Sequence, residues 1–185
     1  MSVQFPTLRG TVWLLGDNIS TDVLSPGPYV HAPNQERLRH VLEAVRPDFA
    51  PKVQSGDLVV AGRNFGCGSS RESAPQHLKD LGVAAVVAES FSRIFARNAI
   101  AIGLPVLTCA GVRQRVRDQE EIAVDVVLGA VVLSDGTALA AERIPPEMLT
   151  VLSNGGIVPM LRAIAQAHTH GGGTSEGRDE DGLGR

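Results

Sequence analysis

Apolar and polar positions follow two alternating rhythms along this chain. Asp57 to Gly62 (DLVVAG), Val83 to Ser90 (VAAVVAES) and Leu104 to Thr108 (LPVLT) are short apolar runs rich in valine. Unbroken runs of that length are the pattern of strands covered on both faces. Between them the apolar period lengthens. A short helix is predicted from Ser73 to Leu81, ended by Gly82, and a second carries Phe91, Ile94, Phe95, Ala99 and Ile102 on one face, closed by Gly103. The order β-α-β-α-β calls for parallel strands joined by crossover helices. Upstream, Thr11 to Leu15 (TVWLL) reads as a strand that runs into the turn residues Gly16-Asp17-Asn18. A long polar loop follows, containing Pro26, Gly27, Pro28 and Pro33, and loops of that length in compact domains usually have a function. Asn34 is placed to cap a helix in which Leu38, Val41, Leu42 and Val45 recur at helical spacing, with Pro47 and Pro51 as stops.

After Thr108 the rhythm changes. IAVDVVLGAVVLSDGTALAAE has β-rich runs broken by Gly129 and by Asp135-Gly136, a hairpin signal. An antiparallel β unit is therefore expected to join the parallel βαβ core, giving an α/β fold. Pro146 to Ser153 and Val158 to His168 read as two closing helices. From Gly171 the chain is glycine-rich and acidic with one large apolar residue, too little to offset the entropy of ordering it. The expected organisation is one domain over residues 1–168 and a disordered tail over 169–185.

Composition narrows the function classes. With 43% hydrophobic but only 4% aromatic residues, the core is aliphatic. A net charge of −3 gives no reason to expect a nucleic acid or a membrane surface as partner. No apolar run approaches the ~20 residues that span a bilayer, and the N-terminus lacks a basic segment followed by an apolar one. Two cysteines, Cys67 and Cys109, form no CxxC pair, which fits a reducing compartment better than a disulfide framework. A soluble, cytoplasmic protein is expected.

The chemistry-bearing segment is Asn64 to Glu72, NFGCGSSRE, between a strand and a helix N-terminus. In parallel α/β sheets ligands bind at that edge. Free backbone N–H groups and the helix dipole favour an anion there, Gly66 and Gly68 allow close approach, and Arg71 offers a planar fork for a carboxylate or phosphate. The plainer alternative is that Ser69 or Ser70 caps the helix and Arg71 is solvated. A P-loop would need a lysine that is missing, and a hydrolase elbow would need GxSxG. Cys67 has no companions for a metal site and suits a packed position. A serine beside anion-binding donors remains; it can serve as a base only where its alkoxide is strongly stabilised. Asp17 and Asp22, in DNISTD, suit local turn bonds as well as a site. Arg93 and Arg97 share a helix face that is either solvated or held against a partner.

Together GDNISTD, VVAGRNFGCGSSRE, SFSRIFARNAIAIGLPVL and PPEMLTVLSNGG resemble the small subunits of the isopropylmalate isomerase and homoaconitase group, the swivelling-domain branch of the aconitase superfamily. The resemblance runs from about Gly10 to Arg162. It implies a swivelling β/β/α domain and a hydro-lyase that isomerises a hydroxy-dicarboxylate by dehydration and rehydration. By resemblance Ser69 is the residue that takes the proton from the carbon beside a carboxylate. Ser70 and Arg71 hold that carboxylate, and Asp22 and Ser25 belong to the rim. The group's reaction is assisted by a [4Fe–4S] cluster, whose iron acts as a Lewis acid. Such clusters are held by thiolates, and two scattered cysteines cannot supply three. The resemblance thus implies no cofactor or metal on this chain, the cluster on a separate large subunit, and inactivity of this chain alone.

Two departures stand out, the first at the start of a helix with little expected chemical consequence, the second bearing on the substrate. Ser73 stands where the group usually has histidine after GSSRE. In the loop SPGPYVHAPN the group often has a basic residue beside the tyrosine, whereas here Pro28 precedes Tyr29 and His31 follows. Tyr29, Val30 and His31 form the expected substrate-specificity loop and favour an apolar arm. The expectation is 3-isopropylmalate, hence leucine biosynthesis. The alternatives are a homoaconitase-type or methylated-malate substrate, or a non-catalytic anion-binding module. A self-sufficient serine enzyme is disfavoured because no motif positions a His–Asp pair.

Overall fold

The structure, a computed structural model, describes residues 4–69 and 72–170. One seven-stranded sheet organises the chain, in the order β4-β3-β2-β1-β5-β6-β7. The strands are β1 (Leu8–Leu14), β2 (Leu58–Ala61), β3 (Ala85–Ala88), β4 (Val106–Thr108), β5 (Glu121–Asp125), β6 (Ala130–Val132) and β7 (Ala138–Ala140). β1 to β4 run parallel; β5 to β7 form an antiparallel meander. β1 is the seam. Its residues Leu8 to Thr11 pair antiparallel with β5 and Val12 to Leu14 pair parallel with β2.

All four residues of β2 and all four of β3 are buried, which explains their continuous apolar character. The pleat sends alternate side chains to two separate cores. Trp13, Val59, Ala61, Val86 and Ala88 face one core together with Leu78 of α4 (Ser73–Asp80) and Phe95 of α5 (Arg93–Ala101). Val12, Leu58, Val60, Val87 and Leu107 face the other. There α6 (Val112–Arg115) and α7 (Pro146–Ser153) contribute Val112, Leu149 and Leu152, alongside Ile122 and Val124 of β5 and Val131 of β6. The mixed α/β architecture is the one the sequence predicts. The hairpin forms at Asp135-Gly136, where Gly136 has φ 84° and the Asp135 carboxylate accepts the Thr137 N–H at 2.8 Å.

Several expectations are corrected. The helix predicted from Asn34 to Val45 is α2 (Asn34–Arg39) and ends six residues early. Leu42 adopts φ 62° and donates its backbone N–H to the Val23 carbonyl at 3.0 Å. That turn buries Val41 and Leu42 fully and leaves Val45 exposed, and the positive φ of Leu42 is incompatible with a continuous helix. Asn34 is the first helical residue, Pro33 is the cap, and the Asn34 amide instead donates to Asp80. Phe91 precedes α5 and pairs with Phe65 in a single parallel bridge. Ile94 is half exposed, so the buried face of α5 is Phe95 and Ala99. Short helices α1 (Thr21–Leu24) and α3 (Phe49–Lys52) went unpredicted, as did α6. The last helix, α8, runs from Ile157 to His170 and takes in residues 169 and 170 of the tail expected over 169–185; the rest of that tail lies outside the described residues. Among those residues no single helix is long and apolar enough to cross a membrane.

Candidate functional site

The carboxyl ends of β1, β2 and β3 lie side by side, and the loops that leave them continue the pairing beyond the strands. Asn18 donates its N–H to the Arg63 carbonyl (2.8 Å), Gly66 to Ile19 (2.7 Å) and Thr21 to Cys67 (2.8 Å). Side chains reinforce the zip. The Asp17 carboxylate accepts the Arg63 N–H at 2.8 Å, and the Asn64 amide donates to Asn18 at 2.9 Å. Asn18 and Asn64 both adopt the left-handed conformation, φ 56° and 60°, which asparagine tolerates better than most residues. The loop after β3 closes the third side: Phe65 donates its N–H to the Ser90 carbonyl at 3.0 Å, and Ser90 Oγ accepts the Asn64 N–H at 2.8 Å.

A buried aromatic group anchors the arrangement. Phe65 is fully buried and packs edge-on against Phe91 and Phe95, with ring centroids 6.0 and 5.1 Å away. Gly66 follows at φ 75°, and a β-carbon there would collide with the Phe95 ring. Only glycine meets both demands. Gly68 has φ 100° and turns the chain so that Ser69 is exposed. Buried Thr21 donates its hydroxyl to the Ser69 carbonyl at 2.9 Å, which fixes the backbone of that residue.

The rim is tied to the same loop. Ser25 is buried, and its Oγ lies 2.8 Å from the Oγ of Ser73, the first residue of α4. One turn on, buried His77 donates Nδ1–H to the Leu24 carbonyl at 3.2 Å. Burial holds the His77 imidazole below its usual range, which keeps it neutral and consistent with a single donated proton. Asp22 is exposed between these ties. Ser69, Asp22 and Ser25 are therefore brought together on two cross-linked loops. Glu72, not a serine, stands at the start of α4, and no side chain caps it. Ser70 and Arg71 lie outside the described residues.

Tyr29, Val30 and His31 follow on the same excursion, at and after a 3₁₀ turn over Gly27–Tyr29. Val30 and His31 are exposed. The Tyr29 ring lies flat on the imidazole of His40, with centroids 3.6 Å apart and planes 2° from parallel.

The two cysteines behave differently. Cys109 is fully buried in the second core, and burial pushes its thiol up, with Glu89 adding to the effect. Cys67 is half-buried and pairs through its backbone with Ser20. Among the described residues no group of three or more His, Cys, Asp or Glu is arranged to hold a metal, so these side chains do not fit an iron–sulfur cluster.

Sequence reasoning missed Thr21, His77 and His40, and noted Ser73 as a departure from the group without foreseeing its bond to Ser25. Only His40 carried a signal, with Glu36 and Glu43 four residues before and three after it, the spacing of helical ion pairs.

Residues 17–110 match the Aconitase C-terminal domain family. The isopropylmalate/citramalate isomerase small subunit of Methanocaldococcus jannaschii is 42% identical over 157 residues, which cover 84% of this chain and 94% of that one. The methanogen homoaconitase small subunit of Methanothermobacter thermautotrophicus is 46% identical over 153 residues, 82% of this chain and 88% of that one. A crystal structure of a 3-isopropylmalate dehydratase from Methanocaldococcus jannaschii superposes with a TM-score of 0.83 at 32% identity, over 90% of this chain and 100% of that one. By sequence along most of its length and by fold, this chain belongs to the aconitase C-terminal domain family.

Proposed function

We propose that this chain is the small subunit of a hydro-lyase that isomerises 3-isopropylmalate and 2-isopropylmalate by dehydration and rehydration. The reading draws on relatives named as small subunits of 3-isopropylmalate dehydratase, among them those of Methanopyrus kandleri and Halothermothrix orenii, at 46% and 43% identity. The observation that carries it is the cross-linked pair of loops, which presents Ser69 at the carboxyl edge of the sheet with its carbonyl tied to buried Thr21.

In this reading Ser69 Oγ takes the proton from the carbon beside a carboxylate, the hydroxyl leaves the neighbouring carbon, and water returns with the two positions exchanged. Ser70 and Arg71 grip the carboxylate, Arg71 through its fork. Asp22 and Ser25 form the rim, and Ser25 holds Ser73 at the start of α4. The [4Fe–4S] cluster belongs to a large partner subunit, because such clusters are held by several thiolates and this chain has two cysteines, one of them fully buried. The active site then forms between two polypeptides in the cytoplasm, and this chain alone is inactive.

Tyr29, Val30 and His31 read the arm that distinguishes one substrate from another. Exposed Val30 (47%) and the lack of lysine or arginine from Pro26 to Asn34 favour a branched alkyl arm over a third carboxylate. A homoaconitase-type substrate would leave that carboxylate without a cationic partner in this loop.

Co-expression with the large subunit, anaerobic reconstitution and assay against hydroxy-diacids with isopropyl, methyl and carboxyalkyl arms tests the reading. Turnover is expected to be fastest with the isopropyl arm and to fall by about 10³-fold or more in Ser69→Ala, with assembly intact. Near wild-type turnover in Ser69→Ala would remove the base assignment.

A further inference from the structure

We infer that His40 is a positioning residue for substrate discrimination: clamped between Glu36 and Glu43, it fixes the ring of Tyr29 that borders the substrate arm. This rests on the proposed reading of the Tyr29 loop and adds a residue that the motifs of the family do not include.

The geometry is specific. His40 follows α2 and keeps only 17% of its side chain exposed. Its Nδ1 lies 2.6 Å from a Glu43 oxygen and its Nε2 3.2 Å from a Glu36 oxygen, so both ring nitrogens are engaged and the ring cannot rotate without breaking a bond. Its hydrogen bonds to the carboxylates of Glu43 first and Glu36 second hold its pKa above the usual range. The Tyr29 ring lies flat on the face of that imidazole.

Tyr29 is half-buried, follows Pro26 and Pro28, and belongs to neither hydrophobic core. Among the described residues the flat stack on His40 is its one ring contact. The backbone carrying His40 is itself pinned two residues later by the left-handed Leu42 and its bond to Val23. A chain of contacts thus runs from the core through Leu42 and His40 to Tyr29. Removing the imidazole frees the Tyr29 side chain while leaving Ser69 and its loop intact.

Tyr29 is the sole tyrosine, so the clamp can be read without turnover. In the full chain labelled at tyrosine, the ring protons are expected upfield of their exposed positions because they lie over the imidazole. His40→Ala should return them, and His40→Phe, which keeps a flat ring there, should not. Unshifted signals in the native chain would overturn the clamp outright.

In the reconstituted complex, His40→Ala should lower the preference in kcat/KM for an isopropyl over a methyl arm by roughly three- to tenfold, carried mainly by KM. His40→Phe should restore much of it, and Tyr29→Ala should lose as much as His40→Ala or more. A preference that falls in Tyr29→Ala but not in His40→Ala overturns the positioning role. A preference unmoved by Tyr29→Ala overturns both the loop's role and this inference. A complex inert toward every hydroxy-diacid refutes the activity, whereas the ring shift still decides the clamp.

Discussion

The loop after β2 and the excursion from Pro26 to Val45 are held by different forces. The loop after β2 is fastened by its main chain, through bonds to the loops after β1 and β3, and by fully buried Phe65. The excursion from Pro26 to Val45 departs from that scheme. It is kept in place by the buried turn at Val41 and Leu42, by the stack of Tyr29 on His40 and by surface ion pairs. Main-chain fastening constrains a loop almost regardless of its exposed side chains, as a reacting group requires. Side-chain fastening lets geometry change with one or two substitutions, as a loop that selects among substrates can use.

Phe65→Ala gives the largest effect expected. It removes a buried ring shared with Phe91 and Phe95 and should cost about 3–5 kcal/mol in urea unfolding, with activity of the complex lost. An effect below about 1 kcal/mol would show that the main-chain zip alone supports the loop. Leu42→Ala attacks the second loop through its anchor. It should cost about 2–4 kcal/mol, and its effect on turnover should appear in KM for the larger substrate arms more than in kcat. Equal loss in both would erase the distinction between the loops.

Thr21→Val preserves shape and removes one bond, the hydroxyl donated to the Ser69 carbonyl. The stability cost should be about 1 kcal/mol, with kcat falling more than KM changes, because the residue held is the proposed base. A kcat at the wild-type level would mean that the neighbouring zip bonds suffice.

The smallest effect concerns pH. The imidazole of His40 is held above its ordinary value, mainly by its hydrogen bond to Glu43 and next by that to Glu36. A raised folded pKa gives stability that is complete below the unfolded value of about 6.5 and is lost as pH rises through the folded value. The thermal midpoint of the wild type should therefore exceed that of His40→Gln most at pH 6, with the difference shrinking into the alkaline range. A difference constant with pH would show that the ion pairs contribute nothing.

The parallel core was legible because buried strands leave a plain trace. LVVA and AVVA are apolar at every position, and Gly82 and Gly103 mark the helix ends with positive φ. The antiparallel unit was legible from Asp135-Gly136. The excursion misled for a physical reason: Leu38, Val41, Leu42 and Val45 have helical spacing, but burial of Leu42 through a left-handed turn outweighs a last helical turn that would leave Val45 exposed anyway. Of the site, Ser69, Asp22 and Ser25 could be named from local pattern and resemblance. The roles of Thr21, Ser73 and His77 could not. They depend on α1 and α4 lying together, a contact between segments about 50 residues apart that no local period encodes.

The divided pairing of β1 has a consequence for how the chain is made. Its first four residues wait for Glu121 to Val124, more than a hundred positions later in synthesis. Until then the nascent parallel unit carries an open edge from Leu8 to Thr11, a surface on which another chain can dock. Shortened versions that end before Glu121 keep the whole of the zipped loops and lose the cover of that edge. Their expected fate is association with one another, and a soluble minimal version of the candidate site has to keep the meander that covers that edge.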